Sequence, residues 1–392
     1  MTPSARVQAA IELLDEVIAS ARDDGPPADA IVAAYFKTRR YAGSKDRRAV
    51  RELVFRAIRR SAEVPDNGRS AMLGLSADDR EILDSFTGPP HGPEPVVKGE
   101  KRTRASVIPQ WIETELSPLV TRDEWPALVR RAPLDIRVNT ARITRQAMIE
   151  AFPGAEQTPL SPWGLRLPPD TRVDQSLAFA EGLVEVQDEG SQLIALACAA
   201  KPGMRIIDLC AGAGGKALAL AGATSNGAEI IACDTNRQRL SKLPQRADRA
   251  GATITTRLLD APREAEALVA LRQSADIVLV DAPCSGSGTW RRSPEGRWRL
   301  TRDRLARVAV LQARVLDLAA PLVKPGGALV YAACSLLSRE GMDQVASFLG
   351  RHSGWSVQDP FVDIGRSDGA GRLLTPGHDE TDGFFVARLI RS

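Results

Sequence analysis

The sequence is poor in the residues that build disulfide frameworks and metal sites: its 392 residues include five cysteines and three histidines. Cys198, Cys210, Cys233, Cys284 and Cys334 are odd in number and show neither a Cys-x-x-Cys pair nor the Cys/His spacing of a zinc site. A disulfide scaffold and a metal centre are therefore disfavoured, and a reducing compartment is expected. Long apolar runs are also missing, with no stretch of about 18 residues suited to spanning a membrane. The opening MTPSARVQAAIELLDEV is interrupted by charge where a secretory signal would be apolar, so a cytoplasmic protein is expected. A net charge of +3 is too small to identify a nucleic-acid partner, so the distribution of charge matters more than its sum.

What is present changes character along the chain. The length suits two or three domains of about 100–200 residues, and 43% hydrophobic residues suffice for a substantial core. Residues 5–63 read as helices: Val7, Ile11, Leu14, Val17 and Ile18 recur at helical spacing, as do Val50, Leu53, Val54 and Ile58. A basic stretch between them, including Lys37, Arg39, Arg40, Lys45, Arg47, Arg48 and Arg51, is either a solvated face or a phosphate-contacting one. These observations delimit a helical domain over 1–85 and a Pro-, Gly- and charge-rich linker over 86–104. A small α+β module follows over 105–182, with a helix near Trp111–Leu119 and strands at 134–140 and 164–167. Over 183–392, short apolar β-rich runs (MRIIDLC, AEIIACD, TITTRLLD, ADIVLVDA, ALVYAAC) alternate with helical stretches such as 235–250 and 301–323. That alternation predicts an α/β domain with a parallel-rich sheet and covering helices.

The run Asp208-Leu-Cys-Ala-Gly-Ala-Gly-Gly-Lys216 follows the first of these strands and opens a helix. Its glycines allow a tight turn and a close ligand approach, and Gly212-x-Gly214-x-x-Ala217 fits a dinucleotide-type loop. Alone this signal is weak, since many such loops are only turns. Asp234, Asp260 and Asp281 close the next three strands, where an open parallel sheet binds its ligands. Each Asp by itself would pass as a cap. Four together suit a nucleoside carrying a sulfonium and an ammonium better than the pyrophosphate of NAD, the rival ligand. The candidate cofactor residues are Asp208, Cys210, Ala211, Gly212, Gly214, Gly215, Lys216, Asp234, Arg239, Asp260 and Asp281, with Lys216 placed to meet a cofactor carboxylate.

Two further segments carry reactive groups: Asp281-Ala-Pro-Cys284 after the fourth strand and Tyr331-Ala-Ala-Cys334 after the fifth. Adjacent parallel strands would bring both cysteines to the cofactor edge. Carbon 5 of cytosine becomes nucleophilic once a thiolate adds to carbon 6, and a carboxyl group near N3 stabilises the developing charge. A base must then remove the carbon 5 proton. A lone cysteine is ordinarily a small buried hydrophobe, which is the reading kept for Cys198 and Cys233. Downstream of Cys284, arginines from Arg291 to Arg307 surround Trp290 and Trp298. Arg291, Arg292 and Trp298 are candidate RNA contacts through phosphate pairing and base stacking, against the alternative of a basic solvated helix with Trp298 in a core.

DLCAGAGGK, DAPCSGSGTWRRSPEGRW and YAACSLL together resemble the cofactor loop, motif IV and motif VI of Nop/Sun-type RNA cytosine-5 methyltransferases. QDEGSQL at 187–193 and TDGFF at 381–385 resemble that family's flanking signatures, and the likeness runs from about residue 134 onward. GSKDRRAVRELVFRAIRR is similar, more loosely, to the NusB-like domain of the RsmB-like branch, which acts on 16S ribosomal RNA. The resemblance implies a Rossmann-like methyltransferase domain, S-adenosyl-L-methionine as cofactor and RNA as partner; a monomer without metal is expected. It also implies Cys334 as nucleophile, Cys284 as the release residue and Asp281 as the catalytic acid contacting the ring or the cofactor. DNA cytosine methyltransferases use the motif IV cysteine as nucleophile, so an exchange of the two roles stays open. Departures are Gly212-Ala-Gly-Gly-Lys216 where the family often reads Ala-Pro-Gly-Gly-Lys, Ala333 where it has Thr, and a thinner acidic stretch at Glu340. Transfer RNA as substrate, or a non-catalytic RNA-binding assembly factor, are the alternatives.

Overall fold

A computed structural model describes residues 1–88 and 90–392, and the chain divides into two units. The first comprises Met1–Leu116, Thr121–Arg131 and Thr289–Arg302. The second comprises Ser117–Val120, Ala132–Gly288 and Asp303–Ser392. No helix among the described residues is long and apolar enough to cross a membrane.

The first unit is helical, built on α1 (Pro3–Arg22), α2 (Ala28–Thr38), α3 (Ser44–Arg60), α4 (Gly68–Leu75) and α5 (Arg80–Asp84). Of the apolar positions predicted at helical spacing, Val7, Ile11, Leu14, Val17, Ile18, Val50, Val54 and Ile58 are buried in one core, and Leu53 is partly buried against it. Asn67 starts α4 with a reciprocal cap, accepting from the Ser70 amide at 2.8 Å while the Ser70 hydroxyl accepts from the Asn67 amide at 3.3 Å.

The predicted linker at 86–104, of which residue 89 lies outside the described residues, does not divide the units. Phe86 is buried in the helical core, the Thr103 amide donates to the Ser70 carbonyl at 3.0 Å, and Glu100 pairs with Arg69. Charge that reads as exposure in the sequence is here paired with helix side chains. The predicted helix near Trp111–Leu119 is likewise only a 3₁₀ turn, Gln110–Ile112. Pro109 and Pro118 bracket that segment, and a residue preceding proline disfavours helical backbone.

The second unit contains two sheets. The smaller comprises β1 (Leu134–Val138), β2 (Glu156–Gln157), β3 (Gly164–Leu167) and β4 (Val184–Val186), in the order β2-β3-β1-β4. It is tied to the rest of its unit: Arg137 on β1 donates to the Gly215 carbonyl at 2.8 Å, and Arg246 donates to Glu185 on β4 at 2.8 Å. The predicted module over 105–182 is thus redistributed, with residues 105–116 and 121–131 in the helical unit and the strands in the larger one.

The larger sheet comprises β5 (Arg205–Asp208), β6 (Glu229–Asp234), β7 (Thr255–Leu258), β8 (Ala275–Asp281), β9 (Val323–Ala333), β10 (Trp355–Gln358), β11 (Arg366–Asp368), β12 (Gly371–Leu374) and β13 (Phe384–Arg391). Its order is β11-β12-β13-β9-β8-β5-β6-β7, with β10 on β13. Strands β5 to β9 are parallel, while β10 to β13 add antiparallel pairings. This is the predicted Rossmann-like, parallel-rich α/β architecture. The strand order reverses between β5 and β8, which opens a crevice at their C-terminal ends.

Candidate active site

The glycine loop leaves β5 at Asp208 and enters the helix Gly215–Ala223. Two glycines are required by its path. Gly212 has φ +56°, and a Cβ there would stand 2.4 Å from the Arg239 guanidinium. Gly214 has φ +84°, and a Cβ there would meet Leu243 at 2.1 Å. Asp234, at the end of β6, fixes the loop by accepting from the Gly212 amide at 2.7 Å and from the Asn236 amide at 2.6 Å. Each carboxylate oxygen retains a second lone pair, so a ligand hydroxyl can still be received.

A cavity of about 620 Å³ opens beside this loop. Of the sequence candidates, Cys210, Asp234, Arg239, Asp281, Cys284 and Cys334 line it. Asp260 does not: its side chain is exposed and paired with Arg263 two residues past β7, and the adjacent wall is made by Leu259 and Ala261. The opposite wall, which the sequence did not suggest, comes from Leu311, Arg314, Val315 and Leu318 on the helix Arg302–Ala319.

The electrostatics centre on Asp208, which is 0% exposed, with no hydrogen-bond partner at either carboxylate oxygen. Burial, reinforced by the charge of Asp281, raises its pKa from 3.8 to about 7. A buried, unpartnered carboxyl group is costly unless a cation or donor arrives to meet it. Lys216 donates to Asp281 at 2.6 Å rather than standing free for a cofactor carboxylate. Burial alone pulls the Lys216 ammonium down, but Asp281 outweighs it and the pKa rises on balance.

Asp281 and Ala332 are the last paired residues of the β8–β9 ladder. Beyond them Cys284 and Cys334 converge, their sulfurs 3.0 Å apart. The hydrogen bond to Cys334, then burial, pushes the Cys284 thiol well above its ordinary range. Both sulfurs line the cavity, within reach of one bound ring. Cys198 and Cys233 lie in the core, where burial raises each to about 12, in keeping with their reading as small hydrophobes.

Sequence reasoning gave Glu340 no role, yet it is completely buried behind the two cysteine loops. It accepts from the Ser285 amide at 2.7 Å, from Gln312 at 3.1 Å and from the hydroxyls of Ser285 and Ser335. The acidic residue six positions after Cys334 was the available signal, but nothing local in the sequence indicates its partners.

Two of the three proposed RNA contacts, Trp298 and Arg291, require correction. Trp298 is buried among Val7, Leu14, Val54 and other residues of the helical core, and its indole N–H donates to the Ser61 carbonyl at 2.9 Å. Arg291 is also buried, whereas Arg292 is partly accessible. The apolar body of the indole outweighs its neighbouring charges, so Trp298 enters a core together with Arg297, while Arg302 and Arg307 stay exposed.

The chain spans 68% of its own length, and 63% of theirs, in matching ribosomal RNA small subunit methyltransferase B of Salmonella paratyphi B at 36% identity over 277 residues. Among solved structures, PH0851 shares the fold with a TM-score of 0.77 and 24% identity, covering 99% of each chain. A methyltransferase homolog from Pyrococcus horikoshii matches 71% of this chain and 92% of its own, with a TM-score of 0.61 and 26% identity. The family model described as 16S rRNA methyltransferase RsmB/F matches residues 195–390, a span containing the glycine loop, both cysteines and Glu340, and the chain belongs to that family.

Proposed function

We propose that the chain methylates carbon 5 of a cytosine in RNA, with 16S ribosomal RNA as the substrate class. Membership of the family implies S-adenosylmethionine as cofactor, and an unpartnered buried carboxyl group among Asp234 and Asp281 suits a ligand bearing cationic sulfur and nitrogen. That cofactor supplies an electrophilic methyl group.

The observation carrying the proposal is the 3.0 Å approach of Cys284 and Cys334 on the cavity wall. Cys334 adds its electron pair to carbon 6 of the ring, making carbon 5 electron-rich. Asp281 lines the same cavity and stabilises the ring nitrogens. Once the Cys334 sulfur is bonded to carbon, its charge and hydrogen bond no longer raise Cys284. The Cys284 thiol then becomes more acidic and gives its proton to water in the cavity it lines. As thiolate it removes the proton from carbon 5, the electron pair re-forms the ring double bond, and Cys334 leaves as thiolate.

The test is covalent trapping with the purified chain, S-adenosylmethionine and ribosomal RNA. Cys284→Ala accumulates a protein–RNA adduct stable to denaturation, and Cys334→Ala forms none. The reverse pattern exchanges the roles. An adduct with neither variant, together with undiminished methyl transfer by both, overturns the mechanism.

A further inference from the structure

The two cysteine loops lie beyond the last rungs of the β8–β9 ladder, so the sheet alone does not set the distance between their sulfurs. The Gly288 amide donates to the Cys334 carbonyl at 3.1 Å, and Glu340 adds side-chain ties between the same two loops. Its carboxylate receives four donors: the amide and hydroxyl of Ser285, next to Cys284; the hydroxyl of Ser335, next to Cys334; and the amide of Gln312. Gln312 also donates to the Pro283 carbonyl at 2.9 Å, gripping the first loop from its other side. Ser287 completes the frame, with its hydroxyl 3.0 Å from that of Ser335 and accepting from the Leu336 amide at 2.9 Å. The chain holds Glu340 in turn, because the Tyr331 hydroxyl donates to its carbonyl at 2.7 Å. All these side chains are buried or partly buried. A buried carboxylate repays its desolvation only when its lone pairs are filled, so the loops and the carboxylate hold one another in place.

We infer that Glu340 is a positioning residue that clamps the Cys284 and Cys334 loops together and sets the spacing of the two thiols. Its consequence for catalysis rests on the methyltransferase reading above, whereas its effect on thiol spacing does not. Two sulfurs that must address carbon 6 and the carbon 5 proton of one ring tolerate little displacement, since a shift of about 1 Å can cost up to about 100-fold in rate.

The experiment uses the full chain and dibromobimane, which bridges two neighbouring thiols and fluoresces on doing so. Mass spectrometry of the digest identifies the Cys284–Cys334 bridge and separates it from any bridge to Cys210. Glu340→Ala lowers the yield of that bridge and lowers kcat by about tenfold or more, while KM for S-adenosylmethionine stays within about twofold. Glu340→Gln keeps one acceptor oxygen and the side-chain shape, and it restores most of both readouts. Ser285→Ala removes the hydroxyl that joins Glu340 to Ser335 and to the Ser287 amide, but leaves the Ser285 amide bond to Glu340, and gives an intermediate loss. Wild-type bridging and kcat in a folded Glu340→Ala variant overturn the inference. If Glu340→Ala does not fold, unaltered bridging in both Glu340→Gln and Ser285→Ala overturns it, and a loss in Ser285→Ala supports it. Should the native chain transfer no methyl group to RNA, the functional reading fails while the bridging yields still decide the clamp.

Discussion

Two buried charges, one in each unit, are treated in opposite ways. Arg297 in the helical unit is almost wholly enclosed. It donates to the carbonyls of Pro294 at 2.9 Å, Val107 at 2.8 Å, Ile58 at 2.5 Å and Arg59 at 3.3 Å. Burial lowers its pKa to about 9, yet the guanidinium meets a carbonyl in each direction. Asp208 in the larger unit is as deeply enclosed, neither of its oxygens has a hydrogen-bond partner, and the Cys210 amide and Lys216 ammonium offset its burial only in part. A buried ion surrounded by backbone partners joins segments of a fold. One left without partners at the switch point of a parallel sheet awaits a ligand. The same contrast sorts the tryptophan-and-arginine segment after Cys284 into structure and the glycine loop into chemistry.

The comparison breaks most easily at Trp298. Trp298→Ala should destabilise the helical unit by about 3–5 kcal/mol, read as a lowered denaturation midpoint. A variant with the wild-type midpoint would return the indole to the surface and to a role in RNA contact. The next effect is smaller and opposite in sign. The rise of Asp208 from 3.8 to about 7 corresponds to roughly 4 kcal/mol at most. Because the folded-state value is the higher one, the favourable state is fully present below the unfolded pKa and is lost as pH rises towards 7. Asp208→Asn without ligand should therefore be more stable than the native chain at pH 8. It should lose that advantage near pH 4, and it should bind S-adenosylmethionine more weakly. Equal stabilities at both pH values would mean that Asp208 ionises without penalty.

How far these features could be read beforehand depended on the range of the interactions behind them. Four of the five parallel strands were legible because each carries an apolar run ending at or near a turn or an acidic residue, whereas β7 reads Thr-Thr-Arg-Leu and is largely exposed. The cysteine pair was legible because both members follow such strands. Trp298 was misassigned as an RNA contact because its neighbours in sequence are charged, while in space it belongs to the buried helical core and bonds to the Ser61 carbonyl. The linker at 86–104 failed for the same reason, since the partner of Glu100 is Arg69, thirty-one positions away. Glu340 escaped because its four donors come from three separated segments, and hydrogen bonding at that range leaves no periodicity to read. Asp260 was assigned to the cofactor from its place after a strand, but β7 ends at Leu258, and two more residues carry its carboxylate outward to Arg263.

The finest test of the contrast is a fraction of a proton. With a pKa of about 7, Asp208 is mostly protonated at pH 6 before ligand arrives. A cation brought into its neighbourhood favours the carboxylate and expels that proton into solvent. Binding of S-adenosylmethionine at pH 6 should therefore release a substantial part of one proton, measurable by titration calorimetry in buffers of different ionisation enthalpy. At pH 8.5 Asp208 is already ionised, so its contribution vanishes, and in Asp208→Asn it should be missing at both pH values. S-adenosylhomocysteine, which lacks the sulfonium charge but keeps the ammonium, divides the effect between the two cationic groups. If Asp208→Asn releases as much at pH 6 as the native chain, the proton comes from another group. The solitary carboxyl at the end of β5 would then be, like Arg297, a part of the fold alone.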